Sequence, residues 1–201
     1  MTTEEIILSS ARKVFRSKGL EGARMQEIAD EAGINKALLH YYFRSKEKLF
    51  EKIFIEAFAD LLPAVRVSLN QVENLSQFLT FFISRYFDLI TELPYLPQFI
   101  LQEINRNPDL MRKVTGNNEL PIAQVKMLIH RDVERGLIRP IEAEQLMVNT
   151  IALIIFPFAA RPIVQSLIFD NDQAAFESFL SHRKEVITRF VLDAIKPQNS
   201  L

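Results

Sequence analysis

The stretch "DEAGINKALLHYYF", Asp30–Phe43, reads as a helix that stops and starts again. "DEA" ends one apolar-periodic run. Gly33 stands where a left-handed C-cap residue is wanted, and Asn35 is a good N-cap for the run that follows. That second run has only about two turns, too few to hold itself helical in water. Its neighbours must brace one side, leaving Lys36, Ala37, His40 and Tyr41 on the other. The preceding run, about Met25–Ala32, is joined to it by Gly33-Ile34-Asn35 alone. So short a connection makes two helices cross at a wide angle. This is a helix-turn-helix, whose second helix can enter the major groove of DNA.

Outward from this stretch, period 3–4 dominates and no sustained alternation appears, so the chain is expected to be all helical. A first helix covers about Thr3–Ser17, with Ile7, Ala11, Val14 and Phe15 as its apolar stripe. "KGLEG" then stops it. Ile28, Ala29, Ile34, Leu39 and Phe43 complete a small shared core. Ser45 caps a fourth helix that passes Phe54 and Phe58, with Pro63 expected to end or kink it. Further helices are expected at about Leu75–Glu92, Pro97–Asn105, Asp109–Val114, Leu120–Arg135, Glu142–Leu167 and Asn171–Lys196. The composition changes near residue 50, where charge thins and Phe and Leu take over.

Composition removes several classes of function. With 201 residues and 48 % apolar content, a sizeable core is affordable. There is no cysteine, so thiol catalysis, disulfides and cysteine-based zinc sites are excluded. His40, His130 and His182 are far apart and form no metal pattern. No nucleophile elbow, phosphate loop or dinucleotide motif is present, and Glu142 and Glu144 merely suit a helix start. Neither an enzyme nor a cofactor is expected. The longest apolar run, Ile151–Ala160, has ten residues and a proline, against about 20 for a spanning helix. A soluble, cytoplasmic protein with no membrane partner is expected. Net charge is −1, with the first 52 residues mildly basic and the rest mildly acidic.

The longer pattern ARxxFxxxGLxGxxMxEIAxxAGIxKALLHYYFxSKExLF, Ala11–Phe50, resembles the TetR family of bacterial transcriptional repressors. The match covers about 40 residues; beyond it only helix number and length agree. The resemblance implies an N-terminal three-helix helix-turn-helix module over residues 1–47. A linking helix continuing to about residue 62 would join it to a larger ligand-binding and dimerisation domain, 48–201, with about nine to ten helices in all. It also implies a homodimer on a double-stranded, palindromic DNA operator and a ligand-responsive repressor. An activator of the same fold, or a helical lipid-binding protein, is the alternative.

Residue roles follow position by position. Lys36, Ala37 and Leu38 match positions near base edges, with Asn35 as their cap. Tyr41 matches a position that reaches a base or its methyl group, and Gln26 another that can touch a base. Tyr42 and Lys46 match phosphate-contacting positions; the plain alternative for Tyr42 is core, the place already given to Phe43. Two residues depart from the pattern. His40 replaces the usual phosphate-binding Tyr, and Arg24 replaces a capping Thr or Ser, offering a cation instead.

The last helices carry an apolar stripe that the resemblance assigns to dimerisation: Phe158, Phe179, Val186, Ile187, Phe190 and Val191. The chain's 16 Phe lie mostly after residue 50. They point to a largely apolar effector pocket, lined by Phe82, Tyr86, Phe99 and Phe156 with Gln102, Asn105 and Asn149 as polar groups.

Overall fold

The computed structural model describes residues 1–106, with side chains through Leu101, and residues 121–197. Ten helices and no strand occur among the described residues: α1 Thr3–Gly22, α2 Met25–Glu31, α3 Lys36–Tyr42, α4 Lys46–Gln71, α5 Leu75–Glu92, α6 Leu96–Arg106, α7 Ile122–Glu134, α8 Ala143–Ala159, α9 Arg161–Phe169 and α10 Gln173–Ile195. The helix expected at Asp109–Val114 lies outside the described residues. Two compact units form. One holds Met1–Asp60 with the described residues of Leu89–Asn118; the other holds Leu61–Asp88 with those of Glu119–Leu201.

In the first unit, α1 begins with a reciprocal cap. Thr2 Oγ accepts from the Glu5 N–H at 3.2 Å, and Glu5 accepts from the Thr2 N–H at 2.8 Å. Ile7, Ala11, Val14 and Phe15 are buried along one stripe. The helix outlasts the expected stop by a broken turn: Gly19 has φ +71°, and Leu20–Gly22 follow it. A Cβ at Gly19 would lie 2.8 Å from the Tyr95 ring, so both the dihedral and the close approach require glycine. Phe50 packs on Phe15 (centroids 5.0 Å apart) and on Phe99 (4.5 Å), and Phe54 also meets Phe99. These rings carry the unit past residue 47 and bring α6 into it.

The second unit closes helix ends with distant side chains. The fully buried Asp132 of α7 accepts from the Leu75 N–H at 2.6 Å, at the start of α5. Arg131 donates to the Glu73 carbonyl at 2.6 Å beside it. Arg139 serves the last carbonyls of α10, Ala194 through its side chain and Ile195 through its backbone N–H.

Pro63 does not end its helix. Pro63 sits inside α4, which continues to Gln71. Burial of Leu61 and Val65 on either side offsets the lost backbone bond, which alone costs about 3 kcal/mol. The run expected at Glu142–Leu167 is two helices, α8 and α9, bent by 80°. The break falls at Ala160, not at Pro157. Pro162 lies in the first turn of α9, where its missing N–H is no loss. Pro157 stays within α8, and the Leu153 carbonyl it deprives of a partner receives an Arg183 N–H at 3.4 Å.

Asp132→Ala removes a buried acceptor and strands the α5 amide. Urea unfolding is expected to show a loss of about 1–3 kcal/mol, whereas alanine at the exposed Glu134 should change stability by less than about 0.5 kcal/mol.

Candidate DNA-binding face

The turn before α3 is built from backbone bonds. Gly33 has φ +66°, which lets its N–H reach the Asp30 carbonyl (3.1 Å) and the Ile34 N–H reach that of Ala29 (3.0 Å). Asn35 then accepts from the Leu38 N–H at 2.8 Å, starting α3. Within α3 only Leu39 is buried, completely so, and Phe43 follows it inward. Burying a leucine contributes about 1.5–3 kcal/mol, enough to hold a helix of seven residues in place.

The rest of α3 is exposed: Lys36, Ala37, Leu38, His40, Tyr41 and Tyr42 all reach solvent, and Tyr41 is 82 % exposed. Tyr41 and Tyr42 meet edge to face at 5.6 Å, which steadies two otherwise free rings. Lys36 has no ion pair among the described residues. Gln26 is exposed, but its amide donates to Asp30 at 2.8 Å, so a base contact requires that bond to open. Arg24 is exposed and extended at the head of α2. Glu27 supplies the cap there by accepting from the Arg24 N–H at 3.2 Å. The hydrogen bond from Lys18, aided by that N–H, holds the Glu27 carboxyl below the usual carboxylate range.

Lys46 has a structural role as well. Its ammonium donates to the Leu20 and Glu21 carbonyls at 2.9 and 3.2 Å, closing the end of α1. One N–H remains for a phosphate. Arg44, which has no assigned place in the motif, is exposed between Phe43 and Ser45 and has no ion pair among the described residues. Its neighbour Lys48 is paired with Glu51 at 2.6 Å. A free cation just after α3 and just before α4 was visible in "YYFRSKEK" only as one charge among four.

The description "Bacterial regulatory proteins, tetR family" fits residues 7–53, which span α1 to α3 and the start of α4. The chain's N-terminal module is similar to that of the TetR family. The HTH-type transcriptional regulator RutR of Escherichia coli K12 is 26 % identical over 97 % of this chain and 91 % of its own length. The HTH-type transcriptional repressor NicS of Pseudomonas putida is 35 % identical over 42 % of each. Among solved structures, the hemolysin II regulator HlyIIR aligns over 98 % of both chains, with 24 % identity and a TM-score of 0.60. FadR of Bacillus subtilis, solved with stearoyl-CoA, covers 95 % of this chain and 98 % of its own, with 15 % identity and a TM-score of 0.63. These two structures establish the shared fold.

Of the expected pocket residues, Phe82, Tyr86 and Phe99 are buried. Phe82 and Tyr86 are buried and stacked along α5 with Phe78, in the second unit, and burial pushes the Tyr86 phenol up to about 12. Phe99 belongs to the first unit, against Phe50 and Phe54. Asn149 and Phe156 point to solvent, Phe156 being 57 % exposed, so neither lines an interior. Gln102 and Asn105 have side chains outside the described residues. The expected dimer stripe also divides. Phe158, Ile187 and Val191 are buried within their own unit, Phe158 against Phe87, and Phe179 is half-buried beside Phe169 and Phe176. Val186 and Phe190 are exposed, Phe190 at 62 %. The reason is the helical step of about 100° per residue. Phe156 and Phe158 are two residues apart and face opposite ways.

Operator titrations should separate two kinds of contact. Tyr41→Ala is expected to cost about 1–3 kcal/mol at one base position. Arg44→Ala should weaken all sequences alike and flatten the plot of log affinity against log salt by about one unit.

Proposed function

We propose that this chain is a TetR-family regulator, a cytoplasmic homodimeric repressor released from a palindromic operator by a small, largely apolar effector. The observation that carries this reading is the exposed side of α3, Lys36 to Tyr42, presented by a buried Leu39. One such helix makes too few contacts to select a site in a genome. Two copies double both base contacts and phosphate attraction. They would sit on half-sites about 34–36 Å apart, or a multiple of that.

Support for the dimer is an outward apolar surface on the last helices. Val148 and Phe156 on α8, Ile163, Leu167 and Ile168 on α9, and Val186 and Phe190 on α10 are all exposed. Exposed large apolar groups in such number mark an interaction surface. Among the described residues no single helix is long and apolar enough to cross a membrane, which favours a second copy over a lipid bilayer as the cover.

Residues 1–47 are assigned as the DNA-binding module, α4 as the link to about residue 62, and 48–201 as the sensing and dimerising part. Support for an apolar effector comes from the aromatic wall Phe78, Phe82 and Tyr86 and from FadR, whose structure holds an acyl-CoA. The repressor reading follows NicS; FasR of Mycolicibacterium smegmatis, an activator 33 % identical over 84 residues, marks the other outcome on the same fold. A coupling of roughly 1–3 kcal/mol between effector and operator is enough for a 5- to 150-fold loss of DNA affinity. No catalytic step is assigned to any residue.

Phe190→Asp is expected to give a monomer by sedimentation and to lower operator affinity at least about 100-fold. A gel shift on the chain's own upstream region, with and without acyl-CoA and other apolar ligands, tests the rest. Tight, salt-sensitive binding relieved by one ligand is the expected result. Absence of binding to any upstream fragment would refute the regulator.

A further inference from the structure

A groove of about 570 Å³ runs between α5 and α10, wholly within the second unit. That volume is in the range of small-molecule sites, roughly 300–1,000 Å³. Thr80 and Ser84 of α5 form one wall, and Lys184, Thr188 and Leu192 of α10 the other. At about 100° per residue, Thr80 and Ser84 are on the opposite side of α5 from Phe78 and Phe82. Thr188 and Leu192 are likewise on the opposite side of α10 from Val186 and Phe190. The groove is therefore separate from the aromatic wall assigned to an apolar effector, and it opens away from the outward apolar surface.

Its polar groups are unevenly committed. Lys184 bridges the walls, donating to Asp88 at 2.7 Å and to Ser84 at 3.4 Å, so that cation is already neutralised. Lys196 is neutralised too, by Asp193 at 2.6 Å. Thr80 and Thr188 each donate to the carbonyl four residues back, at 2.8 Å, and so offer the groove acceptor lone pairs only. The Ser84 hydroxyl proton has no acceptor among the described residues. Arg189 lines the groove, is exposed, and has neither an ion pair nor a hydrogen bond among the described residues. Glu185, one turn before it on the same lip, also has no ion pair there. What remains uncommitted is one guanidinium, one carboxylate near it, a hydroxyl donor and two hydroxyl acceptors. A free guanidinium takes a planar carboxylate through two parallel hydrogen bonds.

We propose that this groove binds a small organic acid with a single carboxylate and a neutral body rich in hydroxyl or amide donors. The carboxylate meets Arg189, donors of the body meet Thr80 and Thr188, and Ser84 donates to an oxygen of the body. Glu185 excludes polyanions, because a second negative group would lie against an unpaired carboxylate. A ligand held in this way ties α5 to α10, and it needs neither the apolar pocket nor a second chain.

The test is calorimetric titration of the full-length chain at constant ionic strength. Gluconate, one carboxylate on a chain of hydroxyls, is the probe; sorbitol lacks the carboxylate, and citrate is a polyanion. Gluconate is expected to bind saturably, with sorbitol and citrate at least about tenfold weaker. Arg189→Gln should weaken gluconate at least about tenfold, because the charge-assisted contact is lost. Glu185→Gln should strengthen citrate and so narrow the gap between the two acids. Both side chains are exposed and make no bond that the fold needs, and far-UV circular dichroism checks that the variants stay folded. No saturable gluconate binding, gluconate binding unchanged by Arg189→Gln, or citrate bound as tightly as gluconate overturns the proposal. None of these titrations contains DNA or an apolar ligand, so their failure leaves the regulator reading standing.

Discussion

Leu39 is the point on which the reading head depends. A helix of seven residues has too few internal bonds to persist alone. Its one fully buried side chain anchors it, and that attachment sets its orientation. The exposed residues follow by geometry. With Leu39 inward, Lys36, Ala37, His40 and Tyr41 turn to solvent, and Phe43, four residues on, turns back in. Gly33 makes the attachment reachable, because only a left-handed residue there closes α2 with two backbone bonds in a connection of four residues.

Elsewhere the helices end on charges from far along the chain. Lys46 closes α1, Asp132 opens α5, Arg139 closes α10 and Arg183 answers the carbonyl that Pro157 leaves open. In each case an unsatisfied backbone group near a helix end, or beside a proline, meets an ionised side chain. Such charge-assisted bonds are stronger than neutral ones, and leaving the backbone group unmet would cost more. Lys46 shows the consequence for function. A cation read from its motif position as a phosphate ligand is also a structural cap, and it couples the start of α4 to the end of α1.

The aromatic residues are divided among several tasks. Phe50, Phe54 and Phe99 bind α4 and α6 into the DNA-binding unit. Phe78, Phe82 and Tyr86 stack along one side of α5. Phe156 and Phe190 face outward. Phenylalanine content by itself pointed to a cavity, but a ring's task depends on which helical face it occupies and what stands opposite.

The helical class, the α2–α3 turn, the exposed set on α3 and the extent of α5 were all legible in the sequence. Each depends on residues within about five positions: a glycine that can take positive φ, an asparagine that can cap, an apolar residue every three or four. Long-range packing decided the rest. Pro63 failed to stop α4 because Leu61 and Val65 are buried beside it. Phe158 went inward and Phe156 outward because Phe87 stands on one side only. Arg183 found Leu153 thirty residues earlier. Local sequence sets backbone dihedrals and caps, where the interacting groups are neighbours in the chain. Which face of a helix is buried is set by partners distant in the chain, and only the folded structure brings those together.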